Sequence, residues 1–255
     1  MIVKFQLQNL TDNPLMLLYR HYVNARLFKW DWLLFIACLV FFALFPSLDL
    51  VIASLTWTQE EQFKYANLAW VQISYLVFSK IHFLYLLVLI YFVIVQKITV
   101  NYQNRLRMRA GFLLVALILG PGLVVNQVFK ENWGRARPRE VVNFGGNSQY
   151  TSPMQISNEC DGNCSFVSGH AAGAFFILSL TWVFRHRRWL WLGLLSGGLV
   201  GIGRVLQGGH FFSDVVFSFW AVYGCSLICA IGFGLRSPKM EALGNTSFLD
   251  RQLFK

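Results

Sequence analysis

The sequence predicts an all-α fold: a polytopic membrane bundle of about six transmembrane helices. Three observations predict it. The chain of 255 residues is 56% hydrophobic and only 13% charged, against about a quarter charged in a typical soluble domain. Several apolar runs are long enough to cross a hydrocarbon core of ~30 Å, which takes roughly 20 helical residues. Basic residues gather in the connectors between alternate runs, the bias of cytoplasmic loops. Length alone would allow one or two soluble domains, but the spacing of the runs joins them in one bundle.

Residues 1–29 read as a mildly amphipathic segment along the membrane surface, with Asp12 as the cap of a short helix containing Pro14. The opening MIVKFQLQNLTDNPLMLLYRHY lacks a short apolar core followed by a small-residue cleavage site, so no signal peptide is expected. Trp30 and Trp32 are interfacial anchors for a first span, about 31–46. The stretch from Pro46 to Leu68 carries Asp49, Glu60, Glu61 and Lys64 and reads as a loop or interfacial segment. A second span runs from about 75 to 96, with Lys80 and His82 blurring its entrance. The basic connector KITVNYQNRLRMR leads to a third span, about 110–129. Residues 130–165 form a long polar loop. The fourth span, about 168–184, ends at the basic cluster Arg185 to Arg188. A fifth, about 189–206, and a sixth, about 211–234, are joined by a short glycine-containing link. The membrane domain is therefore 30–235, followed by a polar tail, 236–255.

With six spans, the basic segments at 20–29, 97–109, 185–188 and 236–239 share one side. The positive-inside rule makes that side cytoplasmic, with both termini, and turns the loops at 47–68, 130–165 and 207–210 outward. The net charge of +10 needs no nucleic-acid partner, because no contiguous basic domain or module is there to bind one. One outward loop breaks the charge rule. It begins KENWGRARPRE, packing Lys130, Arg135, Arg137 and Arg139 together. Such cations repel unless an anion joins them, and the forked arginine guanidinium suits phosphate oxygens.

Three segments at outward helix ends carry candidate chemistry. Lys130 is followed by Arg137-Pro138; Ser168-Gly169-His170 opens the fourth span; Arg204 is followed by His210 and Asp214. On a helix, His210 and Asp214 at i and i+4 would share a face. The carboxylate would then hold one imidazole nitrogen and leave the other as nucleophile. Such a pair can equally serve stability alone, and by itself it does not decide. Gly208 and Gly209 allow a turn before His210, across which Arg204 can reach a phosphate. Ser168 and Gly169 sit at a helix start, where free N–H groups and the helix dipole favour an anion. His170, in the first turn, is placed to protonate a leaving oxygen. Alone, Ser-Gly-His would pass for an ordinary cap.

Taken together, KENWGRARP, VSGH and GRVLQGGHFFSD resemble the type 2 phosphatidic acid phosphatase (PAP2) superfamily, membrane lipid phosphatases that share a site with vanadium haloperoxidases. The family pattern is Lys-x6-Arg-Pro, Pro-Ser-Gly-His and Ser-Arg-x5-His-x3-Asp. Val167 and Gly203 stand where it usually has Pro and Ser; neither usual residue is a catalytic group. The resemblance implies a PAP2/haloperoxidase-like core in which His210 attacks phosphorus, Asp214 orients it and His170 protonates the leaving group. Lys130, Arg137, Ser168, Gly169 and Arg204 would hold the phosphate oxygens; the cation-rich loop itself, apart from the resemblance, offers Arg135 and Arg139 as additional substrate contacts. Water would then cleave the phosphohistidine, without metal or other cofactor.

A site at the outward interface meets lipid head groups first, so the expected partner is a phosphorylated membrane lipid. The loop with NCSFVSGHAA looks like bacterial members acting on lipid A. Rival substrates are undecaprenyl diphosphate, phosphatidylglycerol phosphate and phosphatidic acid. Transfer of the phosphoryl group to a lipid alcohol is open as well. A transporter would show charged or broken helices at mid-membrane, and an inactive scaffold would have lost one of His170, Arg204, His210 or Asp214. The expected location is the bacterial inner membrane, with the site facing the periplasm.

Of the 5 cysteines, Cys38, Cys225 and Cys229 lie in apolar runs. Cys160 and Cys164 flank Asp-Gly-Asn in the outward loop. Unpaired thiols are one reading; zinc is another, though two cysteines supply half a tetrahedral site. A disulfide is expected, because the compartment is oxidising and Gly162 lets the chain double back to a Cβ separation of ~3.8 Å.

Overall fold

The computed structural model describes residues 14–60, 62–94 and 102–238. The Asp12 cap, residues 97–101 of the basic connector and the tail beyond 238 lie outside the described residues. Helix α1 is described over Pro14–Ala25. Helices α2 (Asp31–Leu44) and α3 (Leu48–Ser54) form a pair bent by 77°. Pro46 lies at the break, and a proline cannot continue a helical ladder. A two-stranded antiparallel hairpin, β1 (Trp57–Thr58) and β2 (Gln62–Phe63), precedes α4 (Ala69–Ile94).

Helix α5 (Tyr102–Leu117) changes to π winding over Ile118–Phe129 and returns to α winding at Lys130–Asn132. Pro121 lies in the π segment. Its ring removes one ladder donor, and a wider turn is one way to absorb that loss. Asn126 donates to the Pro121 carbonyl (2.8 Å), tying the widened turn together. After the long loop come α6 (Gly169–Phe184), which passes through 3-10 winding at Phe176–Ser179, then α7 (Arg188–Leu206) and α8 (Phe212–Gly232).

Four described helices are long and apolar enough to cross a membrane: Ala69–Ile94, Arg105–Asn132, Arg188–Leu206 and Phe212–Gly232. The bent α2–α3 pair and the shorter apolar α6 complete a layout of about six. Two boundaries differ from the sequence reading. Helix α4 begins at Ala69 rather than near 75, because Trp70 and Val71 already wind into it. The stretch 47–68, expected to be a loop or interfacial segment, contains α3 and the hairpin.

Helix α7 packs tightly through glycines. A Cβ on Gly193 would lie 2.5 Å from the Leu178 nitrogen, and one on Gly197 would lie 2.1 Å from Phe175. Small residues four apart let helix backbones meet closely where lipid is the surrounding solvent. At one end of the bundle Trp182 is buried and donates to the Ala25 carbonyl (2.7 Å). Tyr223 donates to buried Asp31 (2.6 Å), and Tyr22 does the same from α1. The basic residues Arg105, Arg107, Arg109 and Arg185–Arg188 belong to this end by connectivity, and the polar loop and the 207–211 link belong to the other.

Candidate active site

His210 lies in the link ahead of α8, not on the helix. Phe211 is extended and precedes the first helical residue, Phe212. The helical i,i+4 pairing expected with Asp214 is therefore corrected. Asp214 is the third residue of α8, and its Oδ2 accepts the backbone N–H of Phe211 (2.7 Å), a helix-capping contact. His210 Nδ1 stands 3.7 Å from that carboxylate but 2.7 Å from the carbonyl oxygen of Ser165. A carbonyl oxygen only accepts, so this contact requires hydrogen on Nδ1 and leaves the lone pair on Nε2. Burial pushes the His210 pKa down to about 3; Asp214 opposes the fall, while Arg204 and Lys130 add to it. The ring is neutral at pH 7, the state a nitrogen nucleophile needs.

Three cations converge beside it. Lys130, 8% exposed, ends the Arg105–Asn132 span and donates to Asn163 Oδ1 (2.9 Å). It lies against Gly169, where a Cβ would come within 3.4 Å of its Nζ and 3.1 Å of Asn126 Oδ1. Glycine there admits the ammonium to the N-terminus of α6. Arg137 donates to the carbonyl of the same Asn163 (2.5 Å). Burial and the like charge of Arg139 lower its pKa, against the pull of Glu140, 3.9 Å away. Arg204, near the end of α7, donates to Gln207 and lies over the Tyr75 ring, 4.9 Å from its centroid. A Cβ on Gly209 would sit 2.3 Å from Arg204 Nη2, so the glycine makes room for the guanidinium.

His170 stacks on the same Tyr75 ring (4.9 Å, 21°). His170 Nε2 and Arg204 Nε are buried without hydrogen-bond partners among the described residues. Ser168 is fully buried as the N-cap of α6; its hydroxyl accepts from Ala171 at 3.5 Å, and its own N–H donates to the Asp214 carbonyl (3.1 Å). Gly203, the departure from the family serine, faces α4: a Cβ there would lie 3.2 Å from Ser74 Oγ.

Arg135 and Arg139, both expected as additional substrate contacts, stand in different surroundings. Arg135 is 0% exposed. Its Nε donates to the Thr151 carbonyl (2.9 Å), one arm to Ser213 (2.9 Å) and Asp214 (2.5 Å), the other to Asp49 (2.7 Å) and Tyr150 (3.4 Å). All five guanidinium donors are taken, so none is left for substrate. Burial disfavours its charge, yet Asp214 and Asp49 more than compensate and raise its pKa. Arg139 is half exposed beside Glu140 (3.9 Å), at the rim. Lys130 and Arg204, by contrast, make no ion pair within 4.0 Å among the described residues.

Cys160 and Cys164 lie bonded, with Cα atoms 5.7 Å apart, and Cys164 N donates to the Lys130 carbonyl (3.1 Å). The pair thus adjoins the helix end that carries Lys130. No group of three or more His, Cys, Asp or Glu placed to hold a metal occurs among the described residues. Sequence reasoning missed Asp49, Tyr75, Asn163, Ser165 and Ser213. Asp49 and Tyr75 reach the site from elsewhere in the fold, whereas Asn163, Ser165 and Ser213 lie inside or beside the motif segments; Asp49 also carried a signal as an acid inside the apolar run LDLVIAS.

Chemically, the site joins a neutral imidazole with a free Nε2, a second imidazole, and cations with spare donors at a helix N-terminus. That combination can bind a phosphate and accept its phosphorus on nitrogen. Comparison with known proteins supports a phosphatase. Residues 109–236 match the PAP2 superfamily. A Lipid A 4'-phosphatase of Francisella tularensis subsp. novicida is 35% identical over 202 residues, 72% of this chain and 88% of that protein. The Lipid A 4'-phosphatase of Rhizobium leguminosarum is 28% identical over 204 residues, covering 73% of this chain and 86% of the relative. Another, from Rhizobium etli, is 35% identical over 120 residues, 46% of each chain. No solved structure matches.

Proposed function

This chain belongs to the PAP2 superfamily, and from that premise we propose that it removes the 4'-phosphate of lipid A through a phosphohistidine at His210, on the periplasmic face of the bacterial inner membrane. It is a membrane-embedded phosphatase of a phosphorylated lipid. The observation that supports the mechanism best is the contact between His210 Nδ1 and the Ser165 carbonyl (2.7 Å), which favours a nucleophilic Nε2. The relatives' names support lipid A as substrate. The outward assignment rests on the basic segments at the opposite end of the bundle.

In the first step the Nε2 lone pair forms the N–P bond while the P–O bond to the sugar breaks. The leaving oxygen takes its proton from His170 in its cationic form. The phosphate's own negative charge offsets Lys130, Arg137 and Arg204 around His170, so a proton there is tolerated in the complex. Lys130, Arg137, Arg204 and the N-terminus of α6, with Ser168 and Gly169, stabilise the charge on the transferring oxygens; electrostatics of this kind carries most of phosphoryl transfer. In the second step water attacks phosphorus and gives a proton to His170, and the N–P bond breaks to return neutral His210 and phosphate. The Cys160–Cys164 bridge would hold the chain entering Ser168 in one shape.

The test is phosphate release by purified protein from lipid A, undecaprenyl diphosphate and phosphatidic acid. Lipid A is expected to be turned over fastest, with loss of the 4'-phosphate. His210→Ala should reduce turnover by several orders of magnitude while the protein stays folded in detergent. Substantial activity in His210→Ala overturns the nucleophile, and preference for another lipid overturns the substrate.

A further inference from the structure

Two charges that the proposed mechanism does not use, Asp49 and Arg135, lie behind Asp214, the carboxylate expected to orient His210. Asp49 on α3 is 1% exposed. Its Oδ2 pairs with Arg135 (2.7 Å), and its Oδ1 accepts the backbone N–H of Ser213 (2.9 Å). The Ser213 hydroxyl donates to Asp49 as well. Arg135 passes the contact on to Asp214 (2.5 Å), with the Phe211 ring 4.3 Å from its guanidinium. A chain of two carboxylates and one guanidinium thus joins α3, the long loop and the first turn of α8.

Stability does not explain such an arrangement. Dehydrating charges is costly, and well-packed apolar replacements for buried ion pairs are often neutral or stabilising. Charge counting supplies another reason. Arg135 with Asp214 alone is a neutral pair. Adding Asp49 makes the group −1. His210 is neutral before the reaction and becomes a cation when Nε2 takes the phosphoryl group, because Nδ1 keeps its hydrogen. The other charged or titratable groups around His210 are Lys130, Arg137, Arg204 and His170, none of which supplies negative charge. A net negative charge behind the ring is therefore needed at the moment the cation forms.

We propose that Asp49 is a positioning residue for phosphoryl transfer: through Arg135 it leaves Asp214 with an uncancelled negative charge behind His210. Asp49 and Asp214 also accept the N–H groups of Ser213 and Phe211. The two carboxylates that set the charge thereby fix the turn that holds His210. Arg135 acts as the spacer that lets two carboxylates share one dry site. This inference rests on the reading of His210 as nucleophile.

The experiment compares Asp49→Asn, Arg135→Gln and the double variant with wild type, full length in detergent, on lipid A or on whichever lipid of the panel the wild type hydrolyses fastest. The triad's charge is −1 in wild type and 0 in Asp49→Asn; in Arg135→Gln the two dry carboxylates share a proton and keep −1, and in the double variant Asp214 alone carries −1. Asp49→Asn is expected to lose roughly tenfold or more in kcat with little change in KM. The double variant is expected to recover much of that loss although it has lost both ion pairs. A scaffold held only by those contacts would make the double variant as slow as Asp49→Asn or slower, and that result overturns the proposal, as does a loss confined to KM. Should Asp49→Asn fail to fold, Arg135→Gln decides: one carboxylate charge is kept behind His210, so its kcat must stay within a few-fold of wild type, and a tenfold loss overturns the proposal. Activity surviving in His210→Ala would instead strike the nucleophile reading itself.

Discussion

Acidification from pH 7 to pH 5 should destabilise the wild-type protein by about 2 kcal/mol more than a His210→Gln variant. The reason is the buried, neutral His210, whose pKa burial pushes down to about 3, against about 6.5 in an unfolded chain. A depressed folded-state pKa means that the unfolded state binds more protons throughout the interval between the two values. Stability is therefore fully present above pH ~6.5 and is lost as pH falls towards ~3, where the loss is complete. At pH 5 the unfolded imidazole is almost fully protonated and the folded one almost fully neutral, which costs about 2 kcal/mol; at pH 7 the cost is about 0.2 kcal/mol. The result is insensitive to the folded value as long as it lies well below 5. Glutamine keeps a donor for the Ser165 carbonyl but does not titrate. For a protein of this size the difference corresponds to roughly 4–8 °C in Tm. Thermal unfolding of both proteins in one detergent, at pH 7 and pH 5, measures it. Equal pH dependence in the two proteins would refute the neutral buried imidazole, and with it the free Nε2.

Other expectations are simpler to check. Activity should survive excess EDTA, since cations occupy the place that carboxylates take in metal-dependent phosphatases, and vanadate should inhibit as a mimic of the trigonal-bipyramidal transition state; loss with EDTA and rescue by magnesium would contradict this. A membrane-impermeant thiol reagent should label Cys placed at Asn147 in spheroplasts but not at His186 in the basic cluster, and the reverse pattern would overturn the orientation. Cys160→Ser with Cys164→Ser should lower thermal stability by ~2 kcal/mol and turnover modestly; full recovery of both residues as alkylated free thiols from non-reduced cells would reject the bridge.

The sequence makes some parts of this molecule legible and hides others for identifiable reasons. Apolar run length and the basic connectors near 105–109 and 185–188 locate the spans, because membrane thickness and charge placement are one-dimensional properties. Lys130, Arg137, His170, Arg204 and His210 are legible because each sits at a fixed distance from a helix end or a neighbouring motif residue. Tyr75 is not, since its meeting with His170 and Arg204 depends on how α4 packs, and one aromatic among many in an apolar helix carries no mark. Arg135 misleads for a related reason: spacing puts it among phosphate-binding cations, and only the fold shows Asp49 arriving from 86 positions away. The His210–Asp214 spacing suggests one helix face, but the capping contact between Asp214 and Phe211 starts the helix after the histidine.

The π winding of Ile118–Phe129 has a consequence for how this chain tolerates change in length. A residue more or less in a helical ladder turns everything beyond it by about 100°, and Lys130 comes immediately after the π segment. An insertion or deletion within that stretch would leave an apolar span still able to cross the bilayer while swinging the lysine away from Asn163 and Gly169. Hydropathy would register almost nothing. The number of residues between the basic end of this span and Lys130 is thus as much a part of the phosphate site as the lysine itself.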